Sequence, residues 1–576
     1  MRLKTWHCLS LLALAVLLAY YPCVSAGYNS IDDLKMISGI DQSGPLDLQR
    51  LLVRGRSYYY RPLTILSYTL DRDLWGFVPS FMHLENILLH LVCVWLVFVI
   101  TKCLLPLWKF KGQGAAFLAA FFFALHPLCT ESVGWISGRT DPLMAVFLLM
   151  AVWLTALSLS SRFSLTAFGA GVSLLLACLA KEVAVFILPG LIWFVLVYPG
   201  PGAWSCRLRD RCWTLLMPIM AVTGYFALRH LTITRDTGIS TALKGVAGGE
   251  YDVINKVRIA FKVYGFYFKK LLVPWPLNFG IIEISGWYVL VGITLAVLLL
   301  YLFYRADVAG AFGLMAFSVL SPALLVVFGK MTWTPIAERY LYTSVALFAP
   351  MFSYLILRLR MHVAVQVRRR LDIMVAAILL VFFATTLHRA WIWQDNLWLY
   401  RDTVAKSPNL AAAKTELASA LLRRGRVAEA EEILVGMRDG RSAPDFINDD
   451  MNLAGSLLSK GDVEGARAVL LPLLSLKHKK HYDLLQALLR VNDQRIGRAE
   501  TPDLRLAIQK ESLVWLEEQQ RLRPKAFTLY RIAKMQLSMG DRDSALISFR
   551  AALAGAPADA HYRGAAESFI QQLESL

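Results

Sequence analysis

Cysteine is scarce in this chain. There are eight, at Cys8, Cys23, Cys93, Cys103, Cys129, Cys178, Cys206 and Cys212, and none follows residue 212. Most lie inside apolar runs, and their spacing matches neither a zinc site nor a disulfide framework. Cys206 and Cys212 share a loop with arginines expected in a reducing compartment, which argues against a disulfide there. No Gly-rich loop is present to cradle a nucleotide. Asp71-Arg72-Asp73 has the spacing of a nucleotide-sugar motif, but it falls on the side expected to face away from cytoplasmic nucleotide sugars. Cations are plentiful, at a net charge of +18, yet they form no single stripe with interleaved aromatics. That excludes a nucleic-acid surface. Long apolar runs are missing beyond about residue 390, where the chain turns polar, Ala-rich and charged.

The rest is unusually apolar. Of 576 residues, 57% are hydrophobic and 12% aromatic, with a mean hydropathy of +0.50. A soluble protein is less apolar, and a chain that is membrane throughout is less charged, so two parts are implied: a membrane domain and a soluble tail. A spanning helix needs about 20 mostly apolar residues, and this length marks about eleven candidates. They are 6–26, 81–104, 113–129, 142–160, 164–180, 183–199, 213–230, 286–304, 307–328, 340–358 and 372–389. With Arg2 and Lys4 cytoplasmic, alternate loops should carry the cations. They do, at 102–111, Arg162, 207–211, Arg305 and 358–370. The opposite loops begin with Asp32-Asp33 and include 126–141, Lys181-Glu182, 231–285 and 330–339. An odd number of spans then places the tail on the side of Asp32 and Asp33.

Residues 256–274 are apolar but flanked by cations, with Lys262 inside, and read as an interfacial amphipathic helix. The first segment resembles a signal peptide, with Val24-Ser25-Ala26 as a cleavage site, although a retained helix tethers the following loop better. A carboxylate pair at the outer mouth of a helix bundle is costly to place, so Asp32 and Asp33 read first as a functional site. The alternative is a solvated pair of helix-capping aspartates.

The tail repeats itself. Leu417-Ala418 through Gly425 to Ala430 aligns with Leu453-Ala454 through Gly461 to Ala466, and again with Ile532-Ala533 through Gly540 to Ala545. Pro524 and Pro557 stand 33 residues apart around the last copy. This is the helix–turn–helix pattern of tetratricopeptide repeats, with a degenerate unit expected at 481–520. Such solenoids offer concave surfaces to peptides and proteins, so the tail implies recognition. The expected division is 1–390 membrane domain, 391–404 linker and 405–576 repeats. The expected fold class is all-α, a polytopic bundle followed by an α-solenoid.

Several membrane-domain motifs follow one another in order. They are Tyr60-Arg61-Pro62, His83-Leu-Glu-Asn86 with His90, Leu125-His126-Pro127 through Glu131, Trp135, Gly138-Arg139 and Asp141, then Ala180-Lys181-Glu182, Ala337-Glu338-Arg339-Tyr340, and Trp393 to Trp398. The order resembles the transmembrane O-mannosyltransferases with tetratricopeptide tails that act on cadherins, and their bacterial relatives, across nearly the whole chain. The tail here is much shorter than in the animal enzymes.

The resemblance implies a GT-C glycosyltransferase that takes a sugar from a polyprenyl-phosphate carrier on the outer face, with no cofactor beyond that substrate and no metal. An acid of the first outer loop would be the base, which points to Asp32 or Asp33. A positioned carboxylate suits the task, because a hydroxyl must lose its proton as it attacks the anomeric carbon. The leaving phosphate needs cations, and Arg339 comes first for its forked geometry, followed by Lys181, Arg139 and Arg61. Each of these equally suits a structural ion pair at a helix end. His126 is a candidate for donor or acceptor contact. His83, Asn86 and His90 share one helix face that is expected to point into the bundle; with Glu338 they are expected to contact the acceptor or to form a polar face of interhelical hydrogen bonds rather than a metal site. The partners so implied are the lipid-linked sugar, membrane lipid and a protein or peptide acceptor held by the repeats. The bacterial inner membrane is the expected location, with a cytoplasmic N-terminus and periplasmic repeats. A non-enzymatic membrane scaffold and a transporter of lipid-linked glycans are the competing functions.

Overall fold

The computed structural model describes residues 4–41, 60–161, 164–200, 211–232, 252–329, 334–438, 447–459, 461–475, 480–557 and 560–574. Arg2, Arg162, Cys206, Arg207, Arg209 and Lys330, all used in the sequence reading, lie outside them. The described residues are helical, with one isolated bridge, Ile281 to Ile336, and no strand.

Among the described residues, eight helices are long and apolar enough to cross a membrane: Thr5–Val24, Pro79–Leu104, Ile136–Ser160, Cys212–Thr232, Tyr288–Arg305, Val308–Phe328, Glu338–His362 and Val365–Trp393. A ninth is possible if Gly114–Ala124 and Pro127–Gly134, bent by 49°, count as one span. The bend has a local cause. Pro127 lacks an N–H and disfavours helical backbone in the residue before it, and His126 is accordingly extended at φ −68°, ψ 121°. All eleven expected segments contain a helix, and Leu165–Ala180 and Glu182–Val197 are shorter than the rest.

The Val253–Leu272 helix is amphipathic as expected, but it does not lie alone on a surface. It packs against Tyr288–Arg305 through paired glycines. A β-carbon at Gly265 would stand 2.0 Å from the Tyr288 carbonyl oxygen, and one at Gly292 would stand 2.0 Å from that of Phe261. Only glycine permits backbones so close, a device common between membrane helices.

The first unit comprises Met1–Leu410. At one end of its bundle Lys102 donates to Thr5 Oγ1 (3.0 Å) and Trp108 packs on Tyr354. At the other end meet the loop before Asp33, the 126–141 turn, Lys181-Glu182, residues 274–281, the Glu338–Leu341 turn and residues 394–407. Residues 391–404, expected as a linker, are instead built into this unit. The Val365–Trp393 helix runs on to Trp393, and Asn396–Lys406 follows at once, capped by Asp395 and carrying the fully buried Tyr400.

The second unit, Ala411–Leu576, is a series of helix pairs. Gly425, Gly461 and Gly540 end their first helices at φ +72°, +82° and +87°, a left-handed backbone that side chains resist. Ala430, Ala466 and Ala545, one per copy, are completely buried where the paired helices touch. The degenerate unit forms two longer helices, His481–Arg498 and Pro502–Leu522.

Candidate active site

The two first-loop aspartates separate completely. Asp33 begins the Asp33–Asp41 helix with 0% exposure, and Asp32 just before it is exposed. Asp33 Oδ1 accepts from the Ser137 amide (2.9 Å) and the Ser137 hydroxyl, and Oδ2 accepts from the Asn29 amide (2.8 Å). Burial raises its carboxyl above the usual range, and the bonds from Ser137 and Asn29 oppose that rise. Asp33 therefore ties the first loop to the 135–139 turn. Asp32 makes no side-chain hydrogen bond among the described residues and faces solvent, where a reacting hydroxyl could approach it.

The turn that receives Asp33 also receives Arg339. Its guanidinium lies 5.3 Å over the Trp135 ring, and that ring stacks in turn near Trp393 (6.3 Å) and meets Phe279 edge-on. Glu131 holds Arg339 twice, through Nη1 (2.5 Å) and the backbone amide (3.1 Å). Nε and Nη2 of Arg339 have no further partner among the described residues, and the side chain keeps 16% exposure. It is fixed yet still able to donate.

Two further cations stand nearby. Lys181 pairs with Asp141 (2.5 Å) and feels the charges of both Arg61 and Arg339. Arg61 grips Glu182 with two parallel bonds, Nε to Oε2 (2.7 Å) and Nη2 to Oε1 (2.5 Å). Each of the three cations thus has a carboxylate that fixes its position.

Two expected donor ligands are buried and engaged within the bundle. Arg139 is 1% exposed and fully committed: Nη1 to Asp71 (2.6 Å), Nη2 to Glu85 (2.8 Å) and to the Met82 carbonyl (3.1 Å), and Nε to Asn86 (3.0 Å). It cross-braces the bundle. Asp71 is consumed in the same pair. His126, at 0% exposure, is wedged between Phe122 and Phe382, with Nε2 3.2 Å from the Leu271 carbonyl. Its Nδ1 accepts from the Leu128 amide (3.4 Å), beside the bend at Pro127.

The shared face of the Pro79–Leu104 helix does point inward. Asn86 donates to the Trp135 carbonyl (2.8 Å), His90 meets the Tyr342 hydroxyl (2.8 Å), and His83 Nε2 is 3.3 Å from the Gly27 carbonyl. Glu338 is buried and accepts from Lys270 (2.6 Å) and the Asn278 amide (3.0 Å).

Several participants escaped the sequence reading. Glu131 and Asp141 sit inside the quoted 125–141 motif, and their partnership with Arg339 and Lys181 was guessable as unpaired acids facing unpaired cations. Lys270 looked like a flank of a surface helix, although it is 2% exposed. Asn29 and Tyr400 gave no signal in sequence.

No family model matches the chain. Over 93 residues it is 41% identical to mouse protein O-mannosyl-transferase TMTC1, a stretch covering 16% of this chain and 9% of that protein. Over 149 residues it is 33% identical to Drosophila melanogaster protein O-mannosyl-transferase Tmtc1, covering 24% and 17%. Mouse protein O-mannosyl-transferase TMTC4 is 37% identical over 101 residues, covering 16% and 14%. The chain therefore matches less than a fifth of the length of these relatives. A thermophilic TPR protein from Thermus thermophilus aligns over 33% of this chain and 95% of its own, at 21% identity and a TM-score of 0.24. The solenoid is defined by its repeated glycine turns and helix pairs. Within the matched stretches, the chain is similar to protein O-mannosyl-transferases.

Proposed function

We propose that this chain is an integral-membrane glycosyltransferase that moves a sugar from a polyprenyl-phosphate carrier to a hydroxyl of a protein, with Asp32 as general base. In this reading the acceptor hydroxyl gives its proton to the Asp32 carboxylate while its oxygen bonds to the anomeric carbon. The bond from that carbon to the phosphate oxygen breaks, and the polyprenyl phosphate leaves with the electron pair. One displacement inverts the anomeric centre. Arg339 takes the developing charge on the phosphate, with Lys181 and Arg61 behind it. Asp33 does not react. It fixes the loop from which Asp32 projects. The lipid-linked sugar is the only co-substrate, and no cofactor enters the reaction.

One observation carries this reading: an exposed acid and a held cation with free donors are both mounted on the 135–137 turn, Asp32 through Asp33–Ser137 and Arg339 through Trp135. A scaffold has no need of such a pair. An amphiphilic donor is further supported by an apolar cavity of about 550 Å³, lined by Gly190, Trp193, Phe261, Tyr264, Leu295 and Phe303. Tyr264 lies six residues before Lys270 on one helix, roughly 9 Å along its axis, so the cavity opens on a helix that ends among the site's charges. The repeats would present the acceptor, and the site would face the bacterial periplasm with the N-terminus in the cytoplasm.

The test is Asp32→Asn in purified full-length protein, given polyprenyl-phosphate mannose and a peptide acceptor. Transfer should fall by about 10²- to 10⁴-fold, the worth of a positioned general base, with the thermal unfolding midpoint unchanged. Undiminished transfer by this variant would falsify the assignment of the base.

A further inference from the structure

Tyr400 is fully buried on the Asn396–Lys406 helix, far in sequence from the first loop. Its hydroxyl donates to Asn29 Oδ1 (3.0 Å) and lies 3.0 Å from Ser30 Oγ, so one oxygen joins two successive residues of that loop. Asn29 is the hinge of the local geometry. Its Oδ1 also accepts from the Ile31 amide (3.0 Å), and its own amide donates to Asp33 Oδ2 (2.8 Å). The surrounding segment reinforces the grip: Asn396 Nδ2 donates to the Tyr28 carbonyl (2.9 Å), and Gln394 Nε2 reaches the Pro22 carbonyl (2.8 Å) and Ser25 Oγ (2.7 Å). Asp32 has no side-chain bond among the described residues, so its direction is set by the backbone between Asn29 and Asp33. That backbone is pinned on one side by Asp33 on Ser137 and on the other by Tyr400.

We propose that Tyr400 is a positioning residue of the transferase site, holding Asn29 and Ser30 so that the Asp32 carboxylate points at the acceptor hydroxyl. This rests on Asp32 being the base. Reactive alignment is sensitive to displacements of about 1 Å, so loosening one anchor should slow the chemical step and leave donor binding alone.

The experiment uses full-length protein and the same donor and acceptor. Tyr400→Phe keeps the ring against Phe279 and removes only the hydroxyl. Its kcat should fall about tenfold, within the range of one or two lost neutral hydrogen bonds, while the donor KM stays within about twofold of wild type because no ground-state contact is lost. Asn29→Ala should do the same, and the double variant should be no slower than the worse single one, since both remove one linkage. Lys406→Ala, on the exposed side of the same helix, should leave both constants unchanged. If Tyr400→Phe fails to fold, Ser30→Ala carries the same expectation at about threefold, for one hydrogen bond. Normal kcat in Tyr400→Phe, a loss confined to KM, or full multiplication of the two single losses overturns the inference. An inactive Asp32→Asn beside a normal Tyr400→Phe removes this inference alone. A fully active Asp32→Asn removes the base and this inference together.

Discussion

The charge-bearing end of the bundle and the solenoid use the same ion pairs to different effect. Arg139–Asp71 is 1% and 2% exposed, and Lys270–Glu338 is 3% and 5% exposed. In the solenoid, Arg550–Glu574 is 61% and 45% exposed, and Arg521–Glu518 is 77% and 37% exposed. A dehydrated pair fixes geometry because neither partner has water to return to, and losing one strands the other. A hydrated pair leaves both partners mobile and contributes little. The bundle end therefore holds its polar groups at set positions, as chemistry requires, whereas the solenoid keeps its charges on the surface and its order in the Gly turns and buried alanines.

This contrast can be attacked at several strengths. Arg139→Leu strands Asp71, Glu85 and Asn86 at once. It should cost about 3–5 kcal/mol or prevent folding altogether, read from expression and unfolding in detergent. Near-normal stability would show that the brace is dispensable. Arg339→Lys keeps a charge beside Glu131 and removes the fork, so transfer should drop about 10- to 100-fold with little change in stability. A fully active Lys variant would move the phosphate contact elsewhere.

A smaller effect concerns pH. Burial raises the Asp33 carboxyl, so the folded protein holds that proton more tightly than the unfolded chain does. The stability it contributes is complete below about pH 4, the ordinary carboxylate value, and is lost as pH rises through the folded value. Against Asp33→Asn, the wild-type unfolding midpoint should therefore decline as pH climbs from about 4. A difference that is flat or rises with pH contradicts the raised carboxyl. Smallest of all, Arg550→Ala should shift solenoid stability by less than about 1 kcal/mol. A larger loss would mean that the exposed pair is as important as the buried ones.

Much of the architecture was legible in the sequence. Apolar length marked the long helices of the bundle, and with them the shorter Leu165–Ala180 and Glu182–Val197. The repeated Gly and Ala positions gave the solenoid its turns and contacts, because those positions obey local steric rules. Arg339, Lys181, Arg61 and the acid pair were legible as candidates, being charges that a membrane domain rarely carries without cause. The fates of Arg139 and His126 were not. An arginine in a loop motif has the same sequence signature whether it meets a phosphate or an internal aspartate.

Order along the chain, the periodicity of each segment and the supply of charges were settled by the amino acids alone, because each depends on neighbours a few residues away. Which aspartate faces water, which cation keeps free donors, and the recruitment of residues 391–407 into the first unit were settled only in three dimensions. Those outcomes turn on desolvation and on partners such as Asn29 and Tyr400, more than three hundred residues apart, which no local pattern brings together.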